Sequence, residues 1–334
     1  MRKILISFIL MVSIVLVGCS SNSNSNESSS GDNEQVFKLA HNLSEDQVVH
    51  KALEDFAEQI EERTDGEIKI DIYPNGQLGQ EKEALGQIEN GTIEMTKVSA
   101  GTLESFNEIY KTFSVPYIFK DEDHYRDVME SDIMDNVYNS TEDNGFIGLS
   151  YIDSGARSFY TKDKPILSPD DLKGMKIRTM DSVTATKMME NLGGTATPMG
   201  YAEIYTSLQQ GVIDGAESNP TALTEGKHGE VVNHFVFNEH TMIPDILVIN
   251  KETWDNLSDE QKEIFKEVAS ENRVKSSEMW KEEIDRAVEE AKDMGVEFHE
   301  VDKAPFIEKV QPIHEEYKEN DALREIIEQI EALG

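Results

Sequence analysis

Cysteine and positive charge are both scarce in this chain. Its 334 residues contain one cysteine, Cys19, so a disulfide within the chain is impossible. Lysine and arginine number 31 against 66 aspartate and glutamate residues, and the formal net charge at pH 7 is −35. Because such a surface repels phosphate backbones, we expect no DNA or RNA partner.

Long apolar runs and catalytic signatures are also missing from most of the sequence. The apolar run over residues 4–17 is too short to cross a bilayer comfortably, and no second run exists. The sequence has no G-x-S-x-G, H-E-x-x-H, G-x-G-x-x-G or P-loop pattern. Acidic residues are so abundant that no carboxylate pair stands out as an acid and a base. We therefore predict that the protein is not an enzyme.

Two groups of residues could in principle bind a metal ion, and both patterns are weak. Residues 121–124, Asp-Glu-Asp-His, could coordinate a cation, but a solvated loop or helix start explains them better. His234 and His240 lie six residues apart around an apolar stretch, where ordinary polar or core roles are more typical. The sequence therefore predicts no metal site and no cofactor.

The N-terminus has the pattern of a lipoprotein signal peptide. A short basic start precedes the apolar run over residues 4–17, and Leu-Val-Gly stands directly before Cys19. An ordinary signal peptide with an incidental cysteine is the alternative. We predict a signal peptide over residues 1–18, acyl chains on Cys19 that anchor the protein outside the cell membrane, and a flexible polar tether over residues 19–35.

The rest of the chain alternates between strand and helix patterns. Residues 37–98 follow the order β-α-β-α-β, and residues 146–216 show similar alternation. Ser44 and Gln47 match a helix-capping box before the first helix. This order predicts open α/β sheets with crossover helices, and ligands in such folds bind beyond the carboxyl ends of the strands.

One predicted helix is much longer than the others. Ser258 and Gln261 form a second capping-box pattern, and helical periodicity then continues to about Met294. A continuous helix of about 35 residues measures roughly 50 Å, which is too long for one compact lobe. We expect it to brace two lobes, with a ligand cleft between them.

Two arginines lie outside the charge-rich helical segments. Arg157 begins a predicted strand after a glycine turn, and Arg178 lies inside another predicted strand. Two guanidinium groups near strand ends can form a positive pocket that binds a carboxylate through paired hydrogen bonds. Pairing of each arginine with a surface carboxylate explains the same positions equally well.

An ordered series of segments resembles a known family. The segments are YPNGQLG (73–79), VPYIF (115–119), GAR (155–157), SPDDLKGMKIR (168–178), TPM (197–199), EIYTSLQQGVIDG (203–215) and ESNP (217–220). Together they resemble the solute-binding proteins of tripartite ATP-independent periplasmic (TRAP) transporters, the DctP family. The resemblance runs from about Phe37 to the C-terminal helices.

The resemblance implies a fold as well as a function. The fold is a two-lobed, type II-like periplasmic-binding-protein fold of open α/β sheets, braced by the long helix. We expect one lobe over residues 36–152 plus about 241–275, and the other over residues 153–240 plus about 276–334. A protein of this kind closes its cleft on an organic anion and passes the anion to TRAP membrane permease subunits.

The resemblance also implies ligand-binding residues. Arg178 matches the arginine that forms a salt bridge with the ligand carboxylate, and Arg157 matches the arginine that assists it. Asn219 matches an asparagine that hydrogen-bonds the same carboxylate, and Tyr201 matches an aromatic residue that packs on the ligand. A looser match on the other lobe adds three specificity positions, Asn42, Gln80 and Ser99.

The ligand class and two alternative functions follow from these matches. C4-dicarboxylates and sugar acids such as uronates are the expected ligands, and the uncharged Gln80 and Ser99 argue against sialic acid. A binding protein of an ABC transporter or a ligand sensor is one alternative. An extracytoplasmic enzyme acting on acidic sugars is another, and it would need a general base in the cleft.

Overall fold

Strands and helices alternate along the part of the chain that the structure describes. In a computed structural model, residues 34–334 contain eleven β-strands and twelve α-helices. The strands are β1 Gln35–Ala40, β2 Ile68–Tyr73, β3 Met95–Ser99, β4 Phe146–Ile152, β5 Ala156–Thr161, β6 Lys176–Thr179, β7 Thr195–Pro198, β8 Gly215–Ser218, β9 His234–Met242, β10 Asp245–Asn250 and β11 Glu297–Glu300. The helices are α1 Val48–Arg63, α2 Glu81–Glu89, α3 Ala100–Leu103, α4 Glu122–Met129, α5 Ile133–Asn139, α6 Val183–Leu192, α7 Ile204–Gln210, α8 Thr221–Thr224, α9 Lys251–Asn256, α10 Asp259–Asp293, α11 Ala304–Lys318 and α12 Asp321–Leu333.

The strands form two separate sheets. The first has the order β2-β1-β3-β10-β4, with β1 parallel to both neighbours and β10 antiparallel to both of its neighbours. The second has the order β11-β9-β5-β8-β6-β7. The chain passes to the second sheet between β4 and β5 and returns between β9 and β10, so the predicted two-lobed α/β fold is confirmed. The predicted lobe boundaries stay a prediction.

Helix α10 braces the two halves of the fold, as predicted. It runs for 35 residues and packs against α1 and β4 on the first sheet and α8 on the second. Its start is the predicted capping box, because the Gln261 N–H donates to Ser258 Oγ at 3.1 Å and the Ser258 N–H donates to Gln261 Oε1 at 3.0 Å. Local sequence therefore sets where this helix begins.

The predicted capping box at Ser44 is wrong. Helix α1 begins at Val48 with Gln47 in an extended conformation before it, and Ser44 Oγ has no hydrogen-bond partner among residues 34–334. Residues 44–47 instead form a turn in which the Gln47 N–H donates to the Ser44 carbonyl at 3.2 Å. This turn places Leu43 and Gln47 on the wall of a cavity between the sheets.

Residues 34–334 contain their own hydrophobic cores. Buried apolar residues under both sheets and the C-terminal helices pack into three clusters. Helix α11 packs on α6, and α12 packs on α4 and residues 108–114. Residues 34–334 thus form one compact unit that is expected to fold alone, and none of its helices has the length and apolar character needed to cross a membrane. The predicted signal peptide, Cys19 and nearly all of the predicted tether lie outside the described residues.

Candidate functional site

A cavity of about 210 Å³ lies between the two sheets. All seven residues predicted from the sequence line it: Asn42, Gln80 and Ser99 from the first sheet and its connections, and Arg157, Arg178, Tyr201 and Asn219 from the second. Strand ends and the turns after them supply these side chains, as expected for an open α/β sheet. The structure brings the predicted residues together, and their contact with a ligand stays a prediction.

Arg157 forms a buried ion pair with Glu217. Its Nε donates to Glu217 Oε2 at 2.6 Å, and its Nη2 donates to the Glu217 carbonyl at 2.7 Å. The two residues come from the adjacent antiparallel strands β5 and β8, and the Glu217 side chain is only 2% exposed. Sheet pairing therefore fixes the orientation of this guanidinium group.

Arg178 lies beside the same carboxylate. Its Nε and Nη2 donate to the Met199 carbonyl at 3.1 and 2.9 Å, and its Nη1 lies 3.9 Å from Glu217 Oε1. Within residues 34–334, the Nη1 groups of Arg157 and Arg178 make no hydrogen bond. Both arginines thus keep donors for a ligand.

The group formed by Arg157, Arg178 and Glu217 carries one excess positive charge. Burial would raise the pKa of the Glu217 carboxyl, but the charge and hydrogen bond of Arg157, with the His240 imidazole 3.5 Å away, outweigh burial and lower that pKa to about 2. Burial lowers the pKa of His240, so the imidazole next to Glu217 stays neutral. Two guanidinium groups and one carboxylate leave one net positive charge at this end of the cavity. This end, the positive pole, favours a single anion.

The opposite wall holds a second buried ion cluster. Lys97 Nζ lies 3.1 Å from Glu81 Oε1 and 3.1 Å from Asp245 Oδ2, and Thr102 Oγ1 donates to Glu81 at 2.7 Å. Burial is the largest influence and raises the pKa of Asp245, whereas the Lys97 charge overcomes burial and lowers the pKa of Glu81. This wall has no excess positive charge to offer an anion.

Buried oxygen acceptors without partners face the same space. Asn42 Oδ1 and Gln80 Oε1 have no hydrogen-bond partner among residues 34–334, and both residues line the cavity. Glu217 Oε1 is also buried without a hydrogen bond in this part of the chain. Buried polar atoms in folded proteins almost always have a partner, so the free oxygens of Asn42 and Gln80 leave two hydrogen-bond acceptors on the cavity wall.

Comparison with known proteins decides the family. The model of the bacterial extracellular solute-binding proteins of family 7, DctP, matches residues 39–320. The chain belongs to the DctP family. An uncharacterised relative, YiiZ of Salmonella typhimurium, is 41% identical over 89% of this chain and 91% of its own length.

Solved structures of TRAP periplasmic solute-binding proteins have the same fold. One from Anaerococcus prevotii, with bound α/β-D-glucuronate, has a TM-score of 0.88 and 37% identity, over 90% of this chain and 98% of that one. Another from Xanthobacter autotrophicus, with bound β-D-galacturonate, has a TM-score of 0.86 and 32% identity, over 89% of this chain and 99% of that one. The family is extracytoplasmic, and its members bind solutes.

Two of the family-derived residues are already held by the protein itself. Asn219 Nδ2 donates to the Ser154 carbonyl at 3.0 Å, and Asn219 Oδ1 accepts from the Thr221 N–H and hydroxyl at 3.0 and 2.8 Å. The Tyr201 ring lies 5.5 Å from the His228 ring, and burial raises the pKa of Tyr201 to about 12. Both side chains therefore have fixed orientations on the cleft wall.

The counter-charges of this DctP-family cleft are not evident from the sequence. Glu217 was present in the ESNP segment, but its ion pairs with Arg157 and Arg178 depend on strands distant in sequence. Lys97 left a usable signal, because it is a charged residue in the strand MTKVS, whose five positions are all buried. A lysine at such a position needs buried carboxylates around it.

Proposed function

We propose that this protein is the solute receptor of a TRAP transporter, binds a hexuronate such as glucuronate or galacturonate, and delivers it to the membrane permease. The observation that carries the proposal is the division of one cleft into two poles. One pole has a single excess positive charge, and the other has buried carboxylates and unpartnered amide oxygens.

The positive pole suits one carboxylate. An anion entering the cleft loses its hydration and needs charged donors in fixed positions. The Nη1 groups of Arg157 and Arg178 supply such donors, while Glu217 holds the two guanidinium groups together. The ligand carboxylate would neutralise the remaining charge of this pole.

The other pole suits hydroxyl groups better than a second carboxylate. Its only buried cation, among the described residues lining the cavity on this side, is Lys97, which already contacts both Glu81 and Asp245. Sugar hydroxyls can donate to these carboxylates and to the free oxygens of Asn42 and Gln80. A C4-dicarboxylate would instead bring its second negative charge against them.

The relatives support the same ligand class. The structure at 37% identity contains D-glucuronate, and the one at 32% identity contains D-galacturonate. These two sugars differ in the orientation of one hydroxyl, so the shared features are a carboxylate and several hydroxyl groups. That combination matches the two poles of this cleft.

Capture rather than catalysis fits the ionisation of the site. A general base must accept a proton near neutral pH. Glu217 is the carboxylate next to both arginines, and its pKa of about 2 makes it a very weak base, while Asp245, whose pKa burial raises, is paired with Lys97 at 3.1 Å. We propose that the protein releases its ligand unchanged, and that acylated Cys19 holds it at the membrane beside the permease.

The test is isothermal titration calorimetry of residues 34–334 with D-glucuronate, D-galacturonate, D-glucose and succinate. We expect saturable binding of at least one uronate, with D-glucose and succinate each at least about a hundredfold weaker. Glucose lacks the carboxylate, and succinate lacks the hydroxyls. Tighter binding of succinate than of either uronate would overturn the ligand class, and binding of glucose as tight as glucuronate would overturn the role of the positive pole.

A further inference from the structure

Two histidines and a glutamate meet at the outer edge of the second sheet. Strand β11 is the edge strand and pairs with β9 in parallel register, so that Glu297 lies opposite His234. His299 is two residues beyond Glu297 and shares its face of the sheet. The three side chains therefore come together from positions 63 and 65 residues apart in sequence.

The other face of the same strands is packed against aromatic rings. Phe298 lies 5.4 Å from Phe235 and 5.5 Å from Phe237, measured between ring centroids. This packing fixes the rotation of β11 about its axis. The alternating residues Glu297 and His299 are thereby held toward His234 rather than left to rotate freely.

The distances between the three side chains are those of a metal-ligand set. His234 Nδ1 lies 3.2 Å from His299 Nε2 and 3.5 Å from Glu297 Oε2, and His299 Nε2 lies 3.9 Å from the same oxygen. Ligand atoms at about 2.0–2.1 Å from a tetrahedral ion are about 3.4 Å apart. The observed separations bracket this value.

We propose that His234, Glu297 and His299 bind a divalent transition-metal ion, with Zn²⁺ as its simplest representative. Two imidazole nitrogens and one carboxylate oxygen are ligands that zinc accepts, with water in the remaining position. The histidine side chains are 15% and 23% exposed and that of Glu297 is 69% exposed, so the ion would face solvent on the carboxylate side.

The ion would act on the fold rather than on the cleft. Strand β11 follows the end of α10 with only residues 294–296 between them, and β9 leads directly back to the first sheet. A metal bond from β11 to β9 would tie the end of the bracing helix to the strand that returns to the other lobe. His234 begins β9, whereas His240, the β9 residue 3.5 Å from Glu217, lies six residues further along the strand, so the ion would not contact Glu217.

The experiment is a calorimetric titration of chelator-treated residues 34–334 with ZnCl₂. We expect one ion per chain, and an affinity at least about tenfold lower in His299→Gln and in Glu297→Gln, since even outer partners of metal ligands contribute tenfold to a hundredfold. His314→Gln is the matched control, because His314 contacts the Pro116 carbonyl on another part of the molecule, and it should bind as the wild type.

A second measurement keeps the test independent of how the variants fold. The X-ray absorption spectrum of the wild-type zinc complex should show two imidazole ligands. Uronate affinity should be the same with and without the ion, which separates this proposal from the proposed transport function. Absence of saturable zinc binding to the wild type would overturn the proposal, as would equal binding by His299→Gln and the control. The three side chains would then be linked by hydrogen bonds alone.

Discussion

At the scale of single residues, Glu217 supplies the negative charge that allows two arginine side chains to be buried next to each other. Its carboxylate pairs with Arg157 at 2.6 Å and lies 3.9 Å from Arg178. Without it, two buried guanidinium groups would repel each other and lack a counter-ion. The arrangement of the two cavity-lining arginines therefore depends on the carboxylate between them.

Replacing Glu217 by glutamine should destabilise the ligand-free protein strongly. Removing one partner of a buried ion pair typically costs about 3–5 kcal/mol, because the other charge stays buried and unpaired. The measurement is urea unfolding of residues 34–334, with Glu328→Gln as the control at an exposed position. Equal unfolding free energies for the two variants would contradict the assigned role of Glu217.

The low pKa of Glu217 also predicts how acid acts on the protein. Because the pKa is lowered from 4.5 to about 2 on folding, this carboxylate contributes stability above pH about 4.5 and loses it as the pH falls toward 2. The unfolding free energy of the wild type should fall over that window. Glu217→Gln lacks this proton uptake and should show a shallower fall, which unfolding curves at several pH values would measure.

At the scale of elements, strand β3 places a lysine inside the protein as part of the cleft. Lys97 is 2% exposed and contacts Glu81 from α2 and Asp245 from β10. Every position of β3 is buried, so the charge of Lys97 needs buried carboxylates to balance it, and Glu81 and Asp245 supply them. The ion cluster at this end of the cleft therefore requires side chains from three elements, β3, α2 and β10.

Changing Lys97 to methionine should damage both stability and ligand binding. Two buried carboxylates would then face each other, and we expect a loss of about 3–5 kcal/mol in unfolding free energy. Lys69→Met is the matched control, because Lys69 lies on β2 with its side chain 43% exposed. If the two variants unfold alike in denaturant titrations, the ion cluster of Lys97 does not have the stabilising role assigned to it.

The junction of α8 with α10 predicts a second pH effect, of opposite sign. Both oxygens of Glu225 are buried without a hydrogen bond among residues 34–334. Burial and the nearby Glu283 raise the pKa of Glu225 from 4.5 to about 7. The folded state therefore holds a proton that the unfolded state has lost, and stability should fall as the pH rises from about 4.5 to 7.

Glu225→Gln should remove most of that fall. After allowance for solvent screening, we expect the variant to be more stable than the wild type at pH 8 by about 1–2 kcal/mol, and similar to it at pH 4.5. Thermal unfolding at the two pH values measures the difference. A gain at pH 4.5 as large as that at pH 8 would show that ionisation of Glu225 is not the cause.

Two helix starts show which features of the fold can be predicted from the residues next to each other in sequence. Helix α10 and its capping box were predicted because the signal lies within a few residues of Ser258. The same pattern failed at Ser44, where a turn on the cleft wall replaces the first helical turn. The sequence does not reveal the partners of Lys97 and Glu217, because elements far apart in the chain bring them together. The hydrophobic periodicity of a single segment carries no information about such pairing.

At the scale of the whole molecule, two sheets meet around a cavity and α10 spans them. Lys82 and Asp181 approach to 3.5 Å from opposite sides of the cleft, and Gln80 lies close against Gly200. Such contacts form only when the lobes are together. A ligand that touches both walls would favour this arrangement over an open one.

Closure predicts a change in overall size. A compact chain of about 300 residues has a radius of gyration of about 19 Å. Small-angle X-ray scattering of residues 34–334 should give a larger value without ligand, which falls toward 19 Å with saturating D-glucuronate. An identical scattering curve with and without a ligand known to bind would contradict lobe closure.

Arg178 is proposed to anchor the carboxylate of a sugar acid, and a titration of three proteins measures this role. The Kd of D-glucuronate would be measured by calorimetry for wild type, Arg178→Ala and the control Arg324→Ala, whose side chain is 42% exposed on α12. Loss of a buried charged partner costs about 2–5 kcal/mol, so Arg178→Ala should bind roughly 30- to 4,000-fold more weakly. The control should match the wild type. Wild-type affinity in a folded Arg178→Ala protein would show that Arg178 does not anchor the ligand carboxylate.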